Sequence, residues 1–147
     1  MKATLYFSVL LFLFQASACS EDESTSAKDN MIRQLTESTW IAESVEHGTD
    51  GDLTFQYDDF SIAFTSSESG NFLGDYLVAN GGYAFADAFG KWTVSEDLHT
   101  LMLDNDQELT VEFQGEKMIL DFTVNPSSGG RSNGLSGHFT FTLIHTP

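Results

Sequence analysis

The residues able to do chemistry in this chain are few in kind and scattered. Four histidines stand at positions 47, 99, 138 and 145. They show no metal-ligand spacing, and His138 and His145, seven apart, fall on opposite faces of a regular strand. Cys19 is the single cysteine. No intramolecular disulfide can form, and beyond Cys19 a nucleophile would have to be a serine activated by histidine. No serine sits in a recognisable elbow, and carboxylates are too numerous for any one pair to mark acid–base catalysis. Asp104-Asn105-Asp106-Gln107-Glu108 alternates oxygen side chains as a calcium loop does. The glycine of such a loop is missing, and Gly115 stands where its distant glutamate belongs, so the segment is read as a hairpin turn. Asp50 and Asp52 around Gly51 are read the same way. No metal, no cofactor and no enzymatic reaction are expected.

The remaining candidate is aromatic. Between Ser66 and Gly90 lie Gly70, Gly74, Gly81, Gly82 and Gly90, mixed with Phe72, Tyr76, Tyr83, Phe85 and Phe89. At the open end of a small barrel such rings can line a cup for an apolar or sugar ligand. The competing reading is that they fill or cap the core, as Trp40 and Trp92 are expected to do.

Composition narrows the field. The chain has 147 residues and a net charge of -16. Nucleic-acid binding rests on Lys and Arg contacts to phosphate, so that class is excluded. The length suits one domain; behind residue 18 stand ten phenylalanines, from Phe55 to Phe141, with 2 tryptophans and three tyrosines, ample for a core.

The elements that must position these residues are mostly strands. A short helix is expected over residues 29–37, capped by Asp29, with Met31, Ile32 and Leu35 at helical spacing. Alternating segments follow between turn signals. These are residues 39–46, Leu53 to Tyr57, Phe60 to Phe64, Lys91 to Val94, Leu98 to Leu103, Leu109 to Phe113 and Met118 to Val124. In the last strand Phe139, Phe141 and Leu143 share one face, and His138, Thr140 and Thr142 the other. Ser66 to Gly90 reads as a long glycine-rich connection in which Tyr83 and Phe85 alternate, and Pro126 to Gly134 as a polar loop. No helix intervenes to make parallel crossovers. The expected fold is therefore all-β, an antiparallel up-and-down barrel of seven or eight strands with a short N-terminal helix, closed so that no edge remains.

The first 24 residues carry a different message. Lys2, an apolar run from Leu5 to Phe14, and small residues before Cys19 have the order of a secretory signal. The run is about half of what a helix needs to cross the hydrocarbon layer. Ala16-Ser17-Ala18-Cys19 resembles the lipobox of bacterial lipoproteins, which implies lipid on Cys19 after cleavage behind Ala18. Several acyl chains hold a protein firmly at a bilayer where one does not. Glu21-Asp22-Glu23 is similar to the short acidic signal that sends Bacteroidota lipoproteins to the outer face of the outer membrane. The same run also acts as a solvated tether that stands off anionic headgroups.

The body of the chain resembles the small lipocalin-like lipoproteins of Bacteroidota. The likeness is carried by Leu35 through Trp40-Ile41-Ala42, by Gly90-Lys91-Trp92-Thr93-Val94-Ser95-Glu96-Asp97 leading into Leu101-Met102-Leu103, by the Leu109 to Val124 hairpin, and by the strand from His138 to His145. Lipocalins open their first strand with glycine, any residue, tryptophan; here the glycine is replaced by Ser38. The resemblance implies a calyx-like barrel with a short helix near the closed end, gives Trp40 a structural role, and brings no reaction. The expected organisation is a signal peptide over residues 1–18, a lipidated acidic tether over 19–30 and a lipocalin-like barrel over 31–147. The expected function is that of an envelope lipoprotein, at the cell surface or on the periplasmic face of the outer membrane. It would bind a small apolar ligand in the barrel mouth at Phe72, Tyr76, Tyr83, Phe85 and Phe89. The alternative is an accessory or inhibitory protein of an envelope complex, with a filled barrel.

Overall fold

A computed structural model describes residues 26–125 and 136–146. The expected signal peptide, Cys19, the acidic run and the Pro126 to Gly134 loop lie outside the described residues. The chain runs through α1 (Ala27–Thr36), β1 (Thr39–His47), β2 (Gly51–Asp52), a 3-10 turn (Thr54–Tyr57), β3 (Ser61–Ser69), β4 (Phe72–Ala79), β5 (Phe89–Val94), β6 (Thr100–Leu103), β7 (Glu108–Gln114), β8 (Lys117–Val124) and β9 (Gly137–His145). Every strand pairing is antiparallel. From β3 to β9 each strand pairs with the next, and β1 pairs with both β3 and β9. The result is a closed eight-stranded barrel, with the two-residue β2 as an extra strand on the end of β1. Closure leaves the barrel without a long open edge.

Alternation builds the wall. Ile62 and Phe64 of β3, Leu101 and Leu103 of β6, Leu109 and Val111 of β7, and Phe139, Phe141 and Leu143 of β9 are all buried, with polar or half-exposed residues between them. The axis is filled by rings. Phe141 packs against Phe60 at 4.8 Å, Tyr57 at 5.1 Å, Phe122 at 5.7 Å and Phe85 at 5.8 Å between centroids, the spacing of favourable aromatic pairs. One end is covered by α1, whose Met31 and Leu35 are buried. Trp40 ties that helix down by donating Nε1–H to the Leu35 carbonyl at 3.1 Å.

Four expectations need correction. The helix starts at Ala27, so residues 27–30, assigned to the tether, are helical. Its cap is Ser26 rather than Asp29: the Ser26 hydroxyl accepts from the Asp29 amide, and Asp29 accepts in return from the Ser26 amide. This reciprocal pair outweighs a lone Asp29 cap because it satisfies two orphan donors. Leu53 to Tyr57 is not a strand. The Asp52 carboxylate accepts from the Thr54 amide at 2.9 Å, which starts a turn, and the chain sends Leu53, Tyr57 and Phe60 inward. Finally, Ser66 to Gly90 is not one long connection. It holds the end of β3, all of β4 and the start of β5.

The β3–β4 hairpin turns on Gly70 and Asn71, with Gly70 at φ 64°. Gly74 faces inward on β4, where a Cβ would sit 1.7 Å from the Thr65 carbonyl oxygen. That same oxygen accepts from Trp92 Nε1 at 3.2 Å, so the missing side chain makes room for the buried indole.

Candidate rim cavity

The eight strand ends away from α1, with their connections, form the opposite rim. Two of the connections matter here. The first is the loop between β4 and β5. Its backbone turns back at Gly81, whose carbonyl accepts from the Ala84 and Phe85 amides at 3.1 and 3.3 Å. This turn points Phe85 into the barrel, where it stacks on Phe60 at 5.4 Å, and leaves Tyr83 53% exposed. The second is the β6–β7 turn. Leu103 donates to the Gln107 carbonyl at 2.9 Å and Asp106 takes φ 65°, the left-handed bulge position that closes a three-residue hairpin loop. The Asp104 to Glu108 segment is thus the expected hairpin turn, with Glu108 already the first residue of β7.

The two connections are stitched by side-chain amides. Gln107 Nε2 donates to the Ala84 carbonyl at 2.9 Å. Asn105 Nδ2 donates to Asp87 Oδ2 at 2.9 Å, and its Oδ1 accepts from the Gln107 amide at 3.1 Å. Between them opens a cavity of about 450 Å³. It runs from the rim, bordered by Tyr83, Phe85 and Phe122, onto the outer face of the sheet, bordered by Thr110, Asp121, Thr123 and His138. Its volume lies within the range of roughly 300–1,000 Å³ typical of small-molecule sites.

The polar side of the cavity is a cross-strand ladder. Asp121 of β8 is placed opposite Thr140 of β9, and Thr123 opposite His138. His138 Nε2 lies 2.9 Å from Asp121 Oδ1, Thr140 donates its hydroxyl to Asp121 Oδ2 at 3.0 Å, and Thr123 Oγ1 lies 3.4 Å from His138 Nδ1. Carboxylate, imidazole and hydroxyl therefore stand in a row. The last distance is at the outer limit of a hydrogen bond. The cluster spans two strands of a regular antiparallel ladder, whose backbone amides are committed to pairing rather than to holding an oxyanion.

Elsewhere the titratable groups are dispersed. His47 is buried, with Nδ1 3.0 Å from Asp50 Oδ2 and its ring 4.7 Å from Phe139. His145 sits edge-on to Trp40 at 6.0 Å. His99 lies in the β5–β6 turn, where its amide donates to Asp97 Oδ1 at 3.0 Å. Among the described residues no group of three or more His, Cys, Asp or Glu converges as a metal site would. Tyr76 is buried beside Asp104 and Asp87, and its hydroxyl has no partner among the described residues. Burial first, then the two carboxylates, push its pKa up to about 12.

Of the five aromatic residues expected to form a cup, two border the cavity: Tyr83 and Phe85. Tyr76 points into the barrel. Phe72 starts β4, at the end of the barrel covered by α1. Phe89 is 75% exposed on the outer wall, opposite Leu77 of β4. Asn105, Gln107, Asp121, Thr123 and His138 were not singled out as a site in the sequence. Asn105 and Gln107 carry a signal, the oxygen-rich run, but that run points to a turn and not to a cavity wall. Asp121 and His138 had none, because the register of β8 against β9 brings them together.

No protein-family model matches the chain, and no curated protein matches it.

Proposed function

We propose that this protein is a lipid-anchored lipoprotein of a bacterial envelope whose lipocalin-like barrel binds a small ligand with an apolar body at its mouth. The observation that carries this reading is the cavity of about 450 Å³ at the rim, with Tyr83, Phe85 and Phe122 on one side and hydrogen-bonding groups on the other. Rings beside placed polar groups can hold a small ligand and fix its orientation. Because rings fill the barrel axis, the ligand sits at the mouth rather than deep in a calyx. The polar ladder supports binding rather than catalysis, and no cofactor or nucleic acid enters the reading.

Anchoring rests on the sequence around Cys19, and the acidic Glu21-Asp22-Glu23 run favours the outer membrane and its surface. Replacing Cys19 by serine is expected to move the protein from the membrane fraction to the soluble fraction. Unchanged membrane recovery would remove the anchor from this account. For the binding reading, native mass spectrometry of the protein purified from its own host is expected to show a bound small molecule. A Phe85→Ala change, which alters the cavity wall, is expected to lose it. A protein that carries nothing and takes up nothing from a host lipid and metabolite extract would defeat the reading.

A second reading, an accessory or inhibitory subunit of an envelope complex, is favoured by one observation. Leu77 and Phe89 face each other across β4 and β5 on the outer wall, 59% and 75% exposed. Crosslinking at Phe89 in intact cells distinguishes it: a partner protein at that position supports the second reading.

A further inference from the structure

The rim cavity differs from its surroundings in what it offers a ligand. Its charged lining consists of Asp106, Glu108 and Asp121, with His138 as the one basic group and no Lys or Arg among the described residues. Asp121 is already engaged by His138 and Thr140. Asp106 and Glu108 have no ion pair among the described residues, where Arg33, Lys91 and Lys117 are paired elsewhere, with Glu37, Asp75 and Glu43.

Among the uncharged groups, Gln107 spends one N–H on the Ala84 carbonyl and Asn105 one on Asp87. A ligand therefore meets a wall of net negative charge, with Asp106, Glu108 and Asp121 against the single His138, beside Tyr83, Phe85 and Phe122.

We infer that the cavity takes a small organic cation, an amine or quaternary ammonium on an apolar body, with its charge at Asp106 and Glu108 and its apolar part against Tyr83, Phe85 and Phe122. An ammonium supplies the positive charge this wall lacks. A cation near an aromatic face gains from the ring quadrupole as well as from the carboxylates. An anionic ligand of the same size meets unpaired carboxylates and is rejected. The inference rests on the proposed small-ligand function and names the ligand's class.

The test compares 3-phenylpropylamine, 3-phenylpropanol and 3-phenylpropionate, one body with three heads, against the purified full-length protein by calorimetry and amide NMR. The amine is expected to bind about tenfold or more tightly than the alcohol, to weaken as salt rises, and to shift the amides of Tyr83, Gln107 and Thr123. The carboxylate is expected not to bind. Asp106→Asn with Glu108→Gln is expected to bring the amine down to the alcohol's affinity, whereas Glu96→Gln, which removes an exposed carboxylate elsewhere, leaves it unchanged. Alcohol or carboxylate binding as tightly as the amine overturns the cation assignment and leaves the small-ligand function standing. Amine shifts spread over the surface carboxylates, or equal loss in Glu96→Gln, also overturn it. If none of the three binds, and the host-purified protein is also empty, both conclusions fall.

Discussion

The Tyr76 hydroxyl is buried with no partner among the described residues, which costs a folded protein free energy. Removing it by Tyr76→Phe is expected to stabilise the protein by roughly 1–2 kcal/mol, measured by urea unfolding near neutral pH. A loss of stability would mean that the hydroxyl is hydrogen-bonded after all. The same environment sets an alkaline limit. Its pKa rises from the model-compound value of 10.0 to about 12 on folding, so the folded chain holds this proton more tightly than the unfolded one. Below pH 10 both states keep the proton and the stabilisation is fully present. It is lost as pH rises from 10 towards 12, because the unfolded chain then gains by ionising. Tyr76→Phe is expected to flatten that part of the stability curve, followed by urea midpoints between pH 9 and 11.5. From sequence alone Tyr76 was one of several aromatics in a glycine-rich run. Its side chain is directed inward by strand parity, and its neighbours Asp104 and Asp87 come from other connections.

At the scale of elements, β4 shows why a strand can hide. Its inward positions are Gly74, Tyr76 and Val78, and its outward positions include the exposed Leu77. A glycine inside and a leucine outside blur the alternation by which strands are recognised. The end of β3 adds to this, since Thr65 to Ser69 is exposed and polar. The signal that survives is Gly70-Asn71 as a two-residue hairpin loop. Gly74→Ala is expected to cost at least the roughly 1–3 kcal/mol of an overpacked core, because its Cβ would collide with the Thr65 backbone. Thermal melting checks this, and an unchanged midpoint would show that the hairpin can shift register. At the other end of the chain, Ser26→Ala removes the α1 capping box and is expected to cost about 1 kcal/mol. Denaturant unfolding gives the value, and no loss would mean that α1 is held by Leu35 and Trp40 alone.

The whole molecule depends on a contact between its ends. β1 and β9 close the barrel through pairs such as Val45 with Phe141 and His47 with Phe139. Phe141 stands at the centre of the aromatic cluster, so Phe141→Ala is expected to cost roughly 3–5 kcal/mol. The exposed Phe89→Ala is expected to stay within about 0.5 kcal/mol. Equal effects in denaturant unfolding would contradict the packing described here. Long-range closure of this kind also belongs to slow-folding topologies, with rates in the millisecond-to-second range.

Local alternation determined that most of the body of this chain forms short strands, and the absence of intervening helices determined that they run antiparallel. Composition determined an acidic protein with an aromatic core. Both properties are written in neighbouring residues, so a linear reading reaches them. Only the tertiary structure decided which rings fill the axis and which border a cavity. It also decided that Asp121 and His138 meet and that the amides of Asn105 and Gln107 donate to the β4–β5 loop. Those outcomes depend on the register of each strand against the next and on where closure brings the connections, and register is a property of pairs of segments that no single stretch contains.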